Sequence, residues 1–288
     1  MPNPSEIPRI AFDLLRVGSC QHPECIVMRG SRWKTGEFPA LIGLLRHPTL
    51  GLILYDTGYA KRFQDATKTM PECLYRMVTP VRLAPEEELL SQLSERGIKP
   101  EEIGTIIISH FHADHIAGLR DFPKARLLST KAELTEMTKK PRLARVARGF
   151  LSSLLPEDLE TRTTYAEDAQ EIPTGLASLP IGHDLLGDGS LIGIQLPGHT
   201  KSQLGILFQN QDNLRTFLVA DGCWKIEGLE KRALPSRITA LLFASWTNYE
   251  TTFRKLAEIH QSADRPTIIP SHCQTTWEAL GGTRNVTG

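Results

Sequence analysis

The sequence predicts an α/β fold in which short buried strands end at side chains able to bind a metal. The β-branched run 105–108 leads directly into a cluster of histidines. The apolar run 216–220 ends at Asp221. A third run, 266–270, stops just before His272. Short continuous apolar runs are typical of buried central strands, so the predicted sheets hold polar groups on rigid backbone at their ends.

The other predicted elements alternate between strands and helices. Further strands are expected at 9–19, 40–45, 51–55, 125–128, 191–196 and 206–208. The second and third of these are separated by a turn around Pro48, which predicts a hairpin. Helices are expected at 85–97, 131–139 and 247–260. The first has proline near its start, three glutamates in its first turn and glycine at its end, which are ordinary helix boundaries.

The segment 139–165 has a different character. Basic residues alternate there with apolar residues at helical spacing, among them Leu143, Phe150 and Leu154. This pattern predicts an amphipathic helix packed on the core, with a lid over an apolar substrate as the alternative and membrane contact as a weaker one. We expect a single domain over 1–288 with a helical lid insertion at 139–165.

Composition excludes several classes of partner. The chain has 288 residues, with 33 basic and 33 acidic side chains and no net charge, so nucleic acid is not an expected partner. No apolar run approaches the ~20 residues of a membrane span, and no signal peptide is expected. Five cysteines in a chain of this length favour a reducing, cytoplasmic location. Cys20 and Cys25 could pair or bind a metal with His22, but their spacing is a weak signal.

The histidine cluster carries the strongest chemical signal. Three of the nine histidines fall within six residues, together with an aspartate. His110 and His112 are two apart, so in extended backbone they face one side. Asp114 and His115 follow in a turn or helix start and could face a second metal. The cluster contains no cysteine, which favours an open catalytic site for zinc, iron or manganese over a closed structural one.

The spacing His-x-His-x-Asp-His resembles the signature of the metallo-β-lactamase superfamily. The other short motifs of the chain are similar as well and occur in the family's order. They are Asp56-Thr57-Gly58, Pro197-Gly198-His199-Thr200, Asp221-Gly222 and a late His272. This resemblance spans residues 56–272. It implies a four-layer αβ/βα sandwich with metals at the edge between two sheets.

The resemblance also implies a role for each residue. His110, His112 and His199 would hold the first metal, and Asp114, His115 and His272 the second. Asp221 would bridge both ions, and Asp56 would hold a ligand histidine from behind. Two divalent ions, zinc first and iron or manganese as alternatives, can share a water and lower its pKa to about 7, so that a hydroxide attacks the substrate. Asp114 and Asp221 are therefore the expected catalytic carboxylates, Asp114 accepting a proton.

Within the family the chain resembles acyl-homoserine-lactone lactonases, on the layout after Asp221 and the run 184–190. Two features depart from that branch. Such lactonases carry a tyrosine three residues after the bridging aspartate, where this chain has Trp224. Their usual second Pro-Gly-His is replaced by 201–203, Lys-Ser-Gln. We expect Trp224 and Phe150 to line the substrate pocket, and Cys223 and Cys273 to point away from the metals.

These observations favour a dinuclear hydrolase acting on a lactone or carboxylic ester. A thioesterase of the glyoxalase II or acyl-CoA type is an alternative, as is a phosphodiesterase or phosphotriesterase. A metal-binding oxidoreductase or a non-catalytic sensor is the non-hydrolytic alternative. The expected partner is a small-molecule substrate, with no nucleic acid, no stable membrane association and an oligomer left open.

Overall fold

Two mixed β-sheets form the frame of the protein in a computed structural model that describes residues 7–281. The first seven strands are β1 Ala11–Pro23, β2 Thr35–His47, β3 Gly51–Tyr55, β4 Val81–Arg82, β5 Ile103–Ile107, β6 Arg126–Ser129 and β7 Thr163–Tyr165. They form one sheet in the order β4-β1-β2-β3-β5-β6-β7. Strands β3, β5, β6 and β7 run parallel, and β1, β2 and β4 pair antiparallel.

The second sheet contains the six later strands. They are β8 Glu171–Pro173, β9 Ile181–Asp184, β10 Leu191–Gln195, β11 Leu204–Gln209, β12 Arg215–Ala220 and β13 Thr267–Pro270. Their order is β13-β12-β11-β10-β9-β8, and only the pair β12–β13 is parallel. That parallel pair brings the residues after both strands to the same sheet edge.

Short helices cover the outer faces of the sheets. They are α1 Glu24–Val27, α2 Arg62–Ala66, α3 Glu72–Val78, α4 Leu89–Glu95, α5 Ala113–Ile116, α6 Lys131–Lys139, α7 Arg142–Ala147, α8 Leu159–Arg162, α9 Ile226–Lys231, α10 Trp246–Gln261 and α11 Gln274–Ala279. Among the described residues, no helix has the length and apolar character needed to span a membrane.

Three apolar cores define four layers. One lies between the seven-stranded sheet and the helices α2 to α8, and includes Phe63, Leu93 and Leu134. A second fills the space between the sheets, where Tyr55 and Ile206 are buried. The third lies between the six-stranded sheet and α9 and α10. Burial of both faces of each sheet explains why the strands are nearly continuous apolar runs, and the predicted sandwich is confirmed.

Most predicted elements are present with shifted ends. The hairpin is β2 and β3, the helix expected at 131–139 is α6, and the one expected at 247–260 is α10. The helix expected at 85–97 begins with a 3₁₀ turn before α4. Strands β7, β8 and β9 were not predicted, because each has three or four residues and little alternation.

The segment 139–165 is not one helix. Pro141 and Gly149 divide it, so α7 is followed by a loop and a 3₁₀ turn, then α8 and the edge strand β7. Leu154 is buried in the core beneath the seven-stranded sheet, whereas Leu143 is 64% exposed. Leu143 on α7 therefore faces outward whereas Leu154 faces the core, and residues 163–165 belong to the sheet.

Candidate metal centre and its cavity

Seven of the sequence-predicted side chains meet at the edge between the two sheets. Two groups of these side chains could each hold a metal ion. The first group is His110, His112, His199 and Asp221, and the second is Asp114, His115 and His272. Within each group the candidate ligand atoms lie within 4.8 Å of one another. These are the seven residues to which the family resemblance assigns metal-binding roles, and the structure brings them together.

In the first group three imidazole rings converge on one point. Nε2 of His110 lies 3.1 Å from Nδ1 of His112, and Nε2 of His199 lies 3.0 Å from the same atom. Burial, together with the neighbouring histidines, holds the pKa of His110 and of His112 well below the ordinary value. Neutral imidazoles with converging lone pairs are the ligands that zinc prefers.

In the second group a carboxylate and two imidazoles face one another. Nε2 of His272 lies 3.3 Å from Oδ2 of Asp114. Nε2 of His115 lies 3.8 Å from the same oxygen. The other ring nitrogen of His272 donates to the Pro39 carbonyl at 2.8 Å. Since that carbonyl can only accept, the neutral form of the His272 ring presents the lone pair of its other nitrogen to the centre.

Asp221 joins the two groups through its two oxygens. Oδ2 lies 3.1 Å from Nε2 of His199, and Oδ1 lies 3.2 Å from Nε2 of His272. The preceding residue, Ala220, has φ +46° at a register shift between β12 and β13. An alanine in this left-handed region costs roughly 1–3 kcal/mol, which the surrounding sheet has to offset. The irregularity turns the Asp221 side chain toward both groups.

Two buried polar atoms that lack hydrogen-bond partners among the described residues indicate whether this centre suits a metal ion. Nε2 of His115 and Oδ1 of Asp221 are both buried, neither has a hydrogen-bond partner within residues 7–281, and they face each other at 3.5 Å. Burial lowers the pKa of His115, but the Asp114 and Asp56 carboxylates outweigh it, so that the pKa stands well above the ordinary value. A cation is needed between these atoms, either a proton or a metal ion. Five histidines together with two carboxylates fit divalent metals.

Asp56 hydrogen-bonds the ring nitrogen of His115 that faces away from the other candidate ligands. Its Oδ2 accepts from Nδ1 of His115 at 2.7 Å and from the Ser109 hydroxyl at 2.7 Å, and its Oδ1 accepts from the Ser109 amide at 2.8 Å. The backbone of Asp56 has φ +63°, a conformation that non-glycine residues rarely adopt. These three hydrogen bonds hold that conformation and orient the His115 ring.

Two backbone hydrogen bonds join the loop that carries His199 to the residues just before α10. Amides at the start of α10 donate to it: Ser245 to the Gly198 carbonyl at 3.0 Å and Ala244 to the His199 carbonyl at 3.0 Å. Gly198 has φ +135°, and an added Cβ would lie 2.1 Å from the amide nitrogen of Tyr249. Only glycine permits this approach, so the position of His199 depends on helix packing far along the chain.

A cavity of about 340 Å³ opens onto both groups. Its lining combines the polar residues Asp114, His199, Asp221 and His272 with an apolar wall, which consists of Ile26, Val27, Phe38, Val78, Leu143, Val146 and Phe243. Leu143 and Val146 come from α7. A cavity with an apolar wall and a few convergent polar groups is typical of small-molecule sites.

The two predicted pocket residues have different positions. Trp224 lines the cavity, but its indole N–H donates to Oδ2 of Asp221 at 2.9 Å. Phe150 is not part of the cavity wall: it is buried, with its ring centroid 5.1 Å from that of His112. The expectation that Phe150 lines the pocket is therefore corrected: Gly149 borders the cavity, and the Phe150 ring that follows it is buried in the apolar core beside His112.

Several residues at the site were not predicted from the sequence. Ser109 connects Asp56 to His110, whose Nδ1 lies 3.0 Å from the Ser109 hydroxyl. His22 and Tyr75 line the cavity. Burial raises the pKa of Tyr75 well above its ordinary value, and the Asp114 and Asp221 carboxylates add to that rise. Ser109 could have been found from its place before the cluster, whereas nothing in the sequence pattern marks Tyr75.

Cys273 is turned away from the metal groups. Its sulfur accepts from the Ile226 amide at 3.3 Å and lies against Glu227 of α9. Cys223 is buried in the core that includes α10. The five cysteines are all free thiols.

Comparison with known protein families agrees with this geometry. Residues 35–216 match the model of the metallo-beta-lactamase superfamily. The chain belongs to this superfamily. The match includes the His110 cluster and His199, and the remaining candidate ligands follow it in the chain.

Relatives similar to the chain include proteins named as metallo-hydrolases and as lactonases. A probable metallo-hydrolase of Mycobacterium tuberculosis is 29% identical over 173 residues, which cover 57% of this chain and 53% of that protein. The chain thus spans about half the length of that relative. The N-acyl homoserine lactonase AttM of Agrobacterium fabrum is 22% identical over 241 residues, covering 84% of each protein.

Solved structures share the fold at low sequence identity. An N-acyl homoserine lactone hydrolase with the product N-hexanoyl-L-homoserine at its catalytic metal centre superposes with a TM-score of 0.68, 16% identity and 98% coverage of both chains. AidC, a dizinc quorum-quenching lactonase, gives a TM-score of 0.60 at 16% identity, covering 94% of this chain and 92% of its own.

Proposed function

We propose that the protein is a dinuclear metal-dependent hydrolase that cleaves a lactone or carboxylic ester carrying an apolar acyl group. The observation that carries the proposal is the position of Asp221. It lies between two candidate ligand groups and lines a cavity whose wall is largely apolar. A carboxylate with one oxygen toward each group suits a bridge between two ions.

In this proposal the first ion is held by His110, His112 and His199 and the second by Asp114, His115 and His272, with Asp221 shared. Zinc is the expected metal, since imidazole and carboxylate are its usual ligands in open sites. The dizinc centre named for AidC is consistent with this choice. Two ions held by these residues would supply Lewis-acid chemistry: they would lower the pKa of a water to about 7 and polarise the substrate carbonyl.

The chain's own residues complete the chemistry. One oxygen from water adds to the carbonyl carbon, and the bond from that carbon to the leaving oxygen breaks. Asp114 borders the cavity and is the candidate to carry the water's proton to the leaving alkoxide, which gives an alcohol and a carboxylic acid. Asp56 and Pro39 hold the rings of His115 and His272, so the ligand geometry exists before substrate binds.

The apolar wall supports an acyl group as the non-reacting part of the substrate. Phe38, Val78 and Leu143 offer no hydrogen bonds, and each apolar carbon that leaves water for this wall favours binding. Relatives named N-acyl homoserine lactonases act on substrates with an acyl chain and a lactone, which fits this division of the cavity.

Thioesters and phosphoesters are the alternatives that the same centre could serve. The experiment is a hydrolysis screen on zinc-loaded protein over matched lactones, oxoesters, thioesters and phosphodiesters, beside elemental analysis. We expect two ions per chain and preferential turnover of lactones or oxoesters with apolar acyl groups. At most one ion under metal-replete conditions, or turnover confined to phosphodiesters, would contradict the proposal.

A further inference from the structure

Hydrolysis of a carbonyl substrate places negative charge on the carbonyl oxygen in the transition state. A hydrogen-bond donor aimed at that oxygen lowers the barrier, and loss of one such donor typically costs about 10²–10³ in rate. The donor has to lie on the cavity wall and keep its proton unengaged. These two conditions can be applied to the described residues that line the cavity.

The most obvious donor is already engaged. The indole N–H of Trp224 is directed at Asp221 at 2.9 Å, and an indole has no second proton to give. The hydroxyl of Thr239 donates to the Ser236 carbonyl at 2.7 Å. Neither side chain is free to hydrogen-bond a substrate without breaking a contact that the protein makes.

Tyr75 meets both conditions. It lies on α3 and lines the cavity, and no hydrogen bond is made by its hydroxyl within residues 7–281. The phenol is protonated at neutral pH, because a tyrosine hydroxyl has an ordinary pKa of about 10. A phenol donates one hydrogen bond and extends several ångströms farther from the backbone than a threonine hydroxyl such as that of Thr79.

The surroundings of Tyr75 place its ring beside the first ligand group. A Cβ added at Gly149 would lie 3.4 Å from Cε2 of Tyr75 and 3.3 Å from Cδ2 of His112, so both rings border the same small space. Gly149, with φ +78°, leaves that space open. The Tyr75 ring also packs edge-on against Phe63 at 6.1 Å between centroids.

Helix α3 itself is tied to the cavity wall. The guanidinium of Arg142 on α7 donates to both carboxylate oxygens of Glu72 at 2.8 Å. This paired geometry fixes orientation as well as distance. Tyr75, one turn after Glu72, is therefore held in place before substrate enters, as a transition-state donor needs to be.

We propose that Tyr75 donates the hydrogen bond that stabilises the substrate's carbonyl oxygen as it gains charge. This proposal rests on the proposed hydrolase function and adds a specific donor to it. The phenol shares that oxygen with the metal centre and does not transfer its proton. His22 is the other wall residue with an unengaged ring, and it serves as the competing assignment in the test.

The test compares Tyr75→Phe with the wild-type zinc enzyme on its best ester or lactone. Removing only the hydroxyl should lower kcat by about 10² and leave KM within a few-fold. A phosphonate analogue of the transition state should lose a similar factor in affinity by calorimetry, while zinc content stays at the wild-type value. Tyr165→Phe is the control, since Tyr165 lies on the edge strand β7 and outside the cavity wall.

Three results overturn the proposal: a kcat within threefold of wild type, a loss of zinc that accounts for the loss of rate, or an equal loss for the control. A loss of kcat and phosphonate affinity in His22→Gln but not in Tyr75→Phe would assign the donor to His22 instead. Failure of the wild-type enzyme to hydrolyse any ester or lactone would contradict the proposed function itself, which distinguishes the two failures.

Discussion

The indole N–H of Trp224 donates a hydrogen bond to Oδ2 of Asp221 at 2.9 Å, from a position three residues later in the chain. The same oxygen lies 3.1 Å from His199. The hydrogen bond orients the Asp221 carboxylate between the two candidate ligand groups. The sequence pattern predicts only that Trp224 lines the substrate pocket. This contact explains how a bulky residue at position 224 is compatible with metal binding.

Trp224→Phe should therefore weaken metal binding. The variant keeps the apolar ring but removes the donor, so the carboxylate loses orientation, and loss of such a partner costs roughly 10–100-fold in metal affinity. Zinc affinity is measured by competition with a chromophoric chelator. Trp33→Phe is the control, because Trp33 is 90% exposed and outside the site. Equal zinc affinity in the Trp224 variant and the wild type would show that Trp224 lines the cavity without contributing to metal binding.

Asp221→Asn should lower kcat on the order of 10²-fold, the scale expected for losing one electrostatic contribution to the transition state. The amide keeps the size of the side chain but removes the charge that two cations would share. The melting curve should stay cooperative, since six other candidate ligands remain. Near-normal kcat with two bound ions would mean that Asp221 does not bridge them.

Gly198→Ala should disrupt the centre through the backbone. Its Cβ would lie 2.1 Å from the Tyr249 amide nitrogen, and φ +135° disfavours any side chain, so we expect a loss of about 3 kcal/mol or more in unfolding free energy. Gly187→Ala isolates the effect of positive φ, because its Cβ would meet nothing within 4 Å and should cost about 1–2 kcal/mol. Chemical denaturation compares the two. Equal losses would show that the loop moves freely.

Glu133 should make stability depend on pH. This buried carboxylate accepts from the Ser202 amide at 2.6 Å on the loop after His199, and burial raises its pKa to about 7. The charged form is disfavoured only in the folded state, so its contribution is full below the unfolded pKa near 4.3 and is lost as pH rises to about 7. That loss is on the order of 3 kcal/mol.

Glu133→Gln imitates the protonated form and should remove this dependence. In metal-free protein, the unfolding free energy of the variant relative to wild type should rise between pH 5 and pH 8. Glu101→Gln is the control, because the Glu101 side chain is exposed at the surface. A variant-minus-wild-type difference that stays constant over this range would contradict the titration of Glu133.

The sequence by itself determined the fold class and predicted the candidate ligands that the structure brings together. Buried central strands such as 105–108 and 216–220 need unbroken apolar runs, and metals need particular side chains at short spacing, so both leave local traces. Three- and four-residue strands such as β7 leave almost none, because their formation depends on a neighbouring strand rather than on their own pattern.

Only the tertiary structure decided which side chains face the cavity. Tyr75 and His22 reach it from distant elements, and Phe150 misses it, because long-range packing sets those directions. The bond from Trp224 to Asp221 depends on an irregular turn after Ala220 that no sequence period marks. Spacing along the chain specifies which atoms can bind a metal, whereas the orientation of the atoms around it comes from contacts between residues far apart in sequence.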